Sequence, residues 1–141
     1  MKSGKFWIAV LVCGILANIV DYVVYMQWLG PTYFATNPTL FRQDTSPVWW
    51  VIGDFVAVFV FAWVFNRVSS AFGSTVQDGA KAGLYLGIFV SFPTYIFMHL
   101  MFNGYPYGLS WISTIYSILW YVVIGALLAV LMKKGQAPSA A

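Results

Sequence analysis

Four long apolar runs constrain this chain more than any other feature. They lie at roughly Phe6–Leu29, Val48–Phe65, Ala82–Phe102 and Leu109–Met132. Each approaches or exceeds the ~20 residues that a helix needs to cross a bilayer. With 141 residues in all, four such runs leave almost no chain for a soluble domain. Only 8% of residues are charged, against about 25% in ordinary soluble domains. The expected fold class is therefore all-α: a polytopic membrane protein with four transmembrane helices in an antiparallel bundle. The helices are expected at about 6–29, 47–66, 79–102 and 109–132 within a single domain 1–134, followed by a disordered tail at 135–141.

Charge sets the expected orientation. Lys2, Lys5, Arg67, Lys81, Lys133 and Lys134 flank one side of the spans, and Arg42 alone lies on the other. The positive-inside rule then places both termini and the middle connector in the cytoplasm. The net charge of +3 resides at span ends, which gives no basic face for nucleic acid. Lys2 and Lys5 ahead of an apolar run resemble the start of a signal peptide. The run continues to Leu29 without an A-x-A site, so it reads as a span. Cys13 reads as a small packing residue, because a single cysteine offers no internal disulfide.

Several local features shape the spans. Gly30-Pro31 is a helix-stopping pair and sets the expected end of the first helix. Pro47 suits the first turn of the second. Pro93 lies inside the third, where a kink is expected. The connector "PTYFATNPTLFRQDTSP" carries Tyr33, Phe34, Leu40 and Phe41, which predicts that it folds back onto the bundle mouth or the lipid surface.

Lipid tails are as apolar as leucine, so close approach through small residues must pair these helices. Gly79, Gly83 and Gly87 recur at four-residue spacing on one face of the third helix. Ala9, Cys13 and Ala17 do so on the first, with Gly14 beside them. Gly53 and Ala57, and Gly125 and Ala129, repeat the device. The stripes predict intramolecular packing, with the third-helix stripe also open to another subunit. Trp28, Trp49, Trp50, Tyr107 and Trp111 near one boundary, and Trp7, Trp63 and Phe72 near the other, read as interfacial belts. Trp120 falls near mid-membrane, facing lipid, a helix contact or an apolar ligand.

The chain's chemistry concentrates in one polar layer. Asp21 lies eight residues before Leu29, and Asp54 seven after Pro47. The two helices run in opposite directions, so both acids reach a depth of roughly 10 Å at ~1.5 Å per residue. At a similar level lie Thr94, Tyr95, Ser113, Tyr116 and Ser117, with His99 one turn further out. Asn18 is one turn from Asp21 on the same face. The candidate ligand-binding set is Asn18, Asp21, Asp54, Tyr95, His99 and Tyr116. An ionised aspartate at a helix centre costs about 2.5–3.5 kcal/mol on insertion scales. The acids must therefore be protonated, solvated in a cavity, or neutralised by a cation, and Arg42 is the nearest cationic candidate. Two carboxylates and an imidazole could hold a divalent metal, and His99 could serve a pigment or haem as a single axial ligand. The spacing matches no metal motif, so no cofactor is predicted. No nucleophile elbow or phosphate loop is present either, so no enzyme is predicted.

The stretch "DGAKAGLYLGIFVSFPTYIFMHLMFNGYPYGLSWISTIYSILWYVVIGALLAV" resembles a group of small, uncharacterised bacterial inner-membrane proteins with four helices. The shared features are the glycine-spaced third helix (Gly79, Gly83, Gly87), Pro93 near its middle and the outer turn Gly104-Tyr105-Pro106. The end of the first helix, "QWLGP", also looks like the group's "W-x-x-P" stretch. The resemblance implies the four-helix architecture, a bacterial origin and the inner membrane, and implies no activity. The function expected is an accessory or stabilising subunit of a larger membrane complex, with other subunits or self-association as partners beside the lipid bilayer. The alternative is a small ion or apolar-ligand binder or carrier built on the polar layer.

Overall fold

The computed structural model describes residues 4–42, 44 and 46–132. Lys2, Lys133, Lys134 and the tail expected at 135–141 lie outside the described residues, as does the Phe72 side chain. Four helical spans form a bundle. The first comprises α1 (Gly4–Asp21) and a π-helical continuation, Tyr22–Phe34. The others are α2 (Pro47–Phe72), α3 (Val76–Met101) and α4 (Tyr107–Met132). All four spans include helices long and apolar enough to cross a membrane. No strand occurs among the described residues.

The helix ends depart from the sequence expectation for identifiable reasons. The first span does not stop at Leu29 but runs through Gly30-Pro31 to Phe34. Proline removes one backbone donor, and nearby groups support the neighbouring carbonyls. Thr32 Oγ1 donates to the Trp28 carbonyl at 2.7 Å, and Asn37 Nδ2 to that of Tyr33 at 2.8 Å. The Ala35 N–H reaches back five residues to the Gly30 carbonyl at 2.9 Å. Glycine is needed at 30, because a Cβ there would lie 2.8 Å from the Tyr25 carbonyl oxygen. α2 continues past Asn66 to Phe72, since nothing breaks it before Gly73, whose φ of 94° suits only glycine. α3 starts at Val76 because Thr75 and Asp78 form a reciprocal capping box. Helical structure is continuous through Pro93. α4 starts two residues earlier than expected, directly after Pro106.

Packing is dominated by α3 against α4. A Cβ on Gly79 would strike the Gly125 carbonyl and the Ala129 methyl, and one on Gly83 would strike the Tyr121 carbonyl. Gly87 sits against Ile118 and Tyr121. The third-helix stripe is thus filled by α4 and is not open to another subunit. The main core lies near the end that holds the start of α1 and the finish of α4. Ala9, Cys13 and Ala17 meet Val58, Phe61, Ala62, Ile124, Leu128 and Ala129 there. Gly14 faces the Phe55 ring. Gly53 is exposed, and a Cβ added there would meet no described atom within 4 Å.

Large apolar side chains face outward along every span, Phe89 at 78% exposure being the extreme, as lipid contact requires. At the far end the connector folds back. Phe34 packs on Tyr25 and Phe41, and Phe41 on Tyr105 in the α3–α4 turn.

Gly83 and Gly53 therefore differ sharply in what a methyl group would cost. Gly83→Ala drives a methyl into rigid backbone and should destabilise the bundle by about 1–3 kcal/mol. Gly53→Ala meets nothing and should leave stability unchanged or raise it by up to ~1 kcal/mol. Unfolding midpoints in lipid nanodiscs check both.

Candidate ligand-binding site

Above the core, α1 and α2 separate and the polar layer opens between them. Asp21 is the last α-helical residue of the first span, directly before the turn widens. Its carboxyl faces that of Asp54 on α2 within hydrogen-bonding reach. The Tyr116 hydroxyl on α4 donates to Asp21 Oδ1 in a short hydrogen bond. One carboxyl therefore ties three helices. Ionised carboxylates only accept, so a hydrogen bond between the two acids requires one proton. Among the described residues, the side chains bearing on these carboxyls are each other, Tyr116 and Tyr25; no lysine or arginine is among them.

Tyr25 completes the layer, one turn beyond Asp21. Its hydroxyl lies 3.4 Å from that of Tyr95 on α3. Its ring stands edge-on to Tyr116 with centroids 5.9 Å apart and tilted against Trp50 at 5.6 Å. Ser91 on α3 donates to Ser117 on α4 at 2.8 Å, which ties the floor of the layer across the glycine seam.

Three cavities meet at Asp54. The first, of about 320 Å³, lies between the first span and α2. Asn18, Asp21 and Asp54 supply its polar atoms, and Ile19, Tyr22, Val23, Met26, Trp50 and Val51 its apolar wall. Those wall residues are exposed on the outer face of the bundle, so the cavity opens toward lipid. The second, of about 210 Å³, runs inward among Tyr25, Tyr95, Tyr116, Ser117 and Trp120. The third is an open depression of about 640 Å³ reaching Asp54 from the connector, past Arg42, Asp44 and Trp49.

Several candidates stand elsewhere. His99 is not in the layer: its Nδ1 lies 2.9 Å from the Tyr105 carbonyl oxygen, and its ring packs edge-on against Tyr107. It serves the α3–α4 turn, where the Tyr105 carbonyl lies outside both helical ladders. The metal set Asp21/Asp54/His99 is therefore not assembled, and no group of three His, Cys, Asp or Glu side chains clusters among the described residues. Arg42 pairs with Asp44 at 3.4 Å, both about 80% exposed, and not with the half-buried Asp21 and Asp54. Thr94 bonds back to the Val90 carbonyl at 2.6 Å and faces outward. Asn18 donates to the Gly14 carbonyl at 2.9 Å, which leaves its amide oxygen at the cavity wall.

Sequence reasoning missed Tyr25 and Trp50 as site residues. Tyr25 carried a usable signal, since residues four apart share a helical face. Trp50 had the composition of an interfacial residue and no other mark. Trp120 sits half-buried at the inner cavity with its ring on Tyr121, and its buried Nε1 has no hydrogen-bond partner among the described residues.

Residues 8–129 match a family described as a protein of unknown function, DUF1761. The chain belongs to that family. No curated protein and no solved structure matches it. The match reaches into all four spans and takes in every residue of the carboxyl pair's surroundings, and brings no activity with it.

The Tyr116–Asp21 tie should be measurable. Tyr116→Phe and Asp21→Leu should couple by about 0.5–3 kcal/mol in a double-mutant cycle, while His99→Ala should add to Asp21→Leu within ~0.5 kcal/mol. Unfolding free energies of the four variants in each cycle check this.

Proposed function

We propose that this DUF1761 chain is a non-enzymatic binder of a small amphipathic ligand within the membrane. In this reading it sits in a bacterial inner membrane with both termini cytoplasmic, as its flanking lysines and arginines favour. The observation that carries the reading is the junction of the lipid-facing cavity and the inner polar cavity at Asp21 and Asp54. A volume of about 320 Å³ falls at the lower end of the ~300–1,000 Å³ usual for small-molecule sites. Ionisable residues held at membrane depth and lining a cavity are costly unless they serve a ligand or ion path.

The chemistry on offer is binding chemistry. The site gathers carboxyls, phenols, an amide and an indole, which orient and neutralise a guest. Neither Ser91 nor Ser117, paired with each other, is bonded to a histidine or carboxylate base. An accessory role in a larger membrane complex is the other reading, and it draws less support. It rests on the small soluble fraction, the absence of catalytic motifs and the small-residue stripes, and of these the α3 stripe is already filled by α4.

Substitution of the cavity wall tests the proposal. Met26→Trp should fill the lipid-facing arm without touching the carboxyls. Native mass spectrometry of the chain released from nanodiscs should show a small-molecule adduct on the wild type that Met26→Trp lacks. A wild-type chain without adducts that always purifies with other subunits would favour the accessory role instead.

A further inference from the structure

The cavity between the first span and α2 combines two properties that rarely meet. Its wall is apolar and opens toward lipid, and its base holds two carboxyls with no cationic side chain beside them among the described residues. An apolar guest would leave those carboxyls unmatched. A hydrophilic cation would not cross the lipid-facing wall. The occupant that satisfies both is a cation with an apolar body.

Resting on the binding role proposed above, we infer that this cavity takes a lipophilic amine and holds it as the ammonium ion between Asp21 and Asp54. The aromatic groups fit the same guest. Tyr25 and Trp50 flank the carboxyls from the first span and α2. Their ring faces attract an ammonium within ~6 Å. Tyr116 steadies Asp21 from α4, so that carboxyl is held in place before the guest arrives.

The proton balance closes within the site. The amine enters uncharged from the lipid side. Its nitrogen lone pair takes the proton shared by the two carboxyls: an N–H bond forms as the O–H bond breaks. An ammonium ion then faces two carboxylates, and the net charge of the assembly is unchanged. The groups facing this pair are Tyr116 from α4 and Tyr25 from the first span, with Tyr95 of α3 behind Tyr25. On release, the depression past Arg42 and Asp44 gives Asp54 an aqueous route for proton exchange.

Equilibrium dialysis against nanodiscs of zwitterionic lipid tests the inference. The probes are N,N-dimethylhexylamine and pentyl isopropyl ether, which match in size and branching and differ in the basic nitrogen. Wild-type protein should retain the amine roughly tenfold or more above the ether, beyond empty nanodiscs, as a charge-assisted contact implies. Asp21→Asn and Asp54→Asn should abolish that preference, and Met26→Trp should weaken both probes. Equal retention of amine and ether by the wild type would overturn the amine inference and leave the binding role standing. Retention of neither above empty nanodiscs would overturn both. Should an aspartate variant fail to fold, the wild-type comparison and Met26→Trp still decide the matter.

Discussion

One carboxyl, that of Asp21, connects the parts of this bundle that apolar packing leaves apart. It meets Asp54 on α2 and takes a hydrogen bond from Tyr116 on α4. In a lipid surrounding each unsatisfied polar group costs several kcal/mol. The tie is placed where it is needed. Near the start of α1 and the finish of α4, the spans pack through Ala9, Cys13 and Ala17 against α2 and α4. Toward the connector the first span widens into its π-helical turn and separates from α2, and a cavity replaces the core. In the half of the bundle that small residues do not hold, this polar contact joins the aromatic packing of Tyr25, Phe34 and Phe41.

The two hairpins divide the work. α3 and α4 form a seam in which Gly79, Gly83, Gly87 and Gly125 bring backbones into contact, so this pair makes a rigid platform. α1 and α2 pack less closely, and their shared face carries the acids. Tyr95, Tyr116 and Ser117 project from the platform toward that face. The layer therefore has one closely packed wall and one loosely packed wall. The Gly30-Pro31 pair, inside the widened turn and beyond Tyr25, belongs to the loosely packed side.

Much of the architecture was legible because the bilayer imposes simple arithmetic. Run length gave four spans, and counting residues from their ends placed Asp21 and Asp54 at one depth. Four-residue spacing marked Gly79, Gly83 and Gly87 as one face, although not which helix would fill it. What stayed illegible depended on geometry between elements or on bonds outside the repeating ladder. His99 left the layer because a turn carbonyl was in reach. Arg42 met Asp44, its near neighbour in sequence, and not the acids below it. The helix persisted through Gly30-Pro31 as a π-helix whose flanking Trp28 and Tyr33 carbonyls also accept from Thr32 and Asn37 side chains. Tyr25 met Tyr95 through a contact across 70 residues that no local pattern encodes.

Both the tie and the proposed binding call for a proton shared by Asp21 and Asp54 across the α1–α2 gap. Infrared difference spectroscopy of the protein in nanodiscs at neutral pH tests it most directly. A protonated-carboxyl C=O band is expected in the wild type and should be lost in both Asp21→Asn and Asp54→Asn. A wild-type spectrum without that band, or one that keeps it in both variants, would contradict the shared proton.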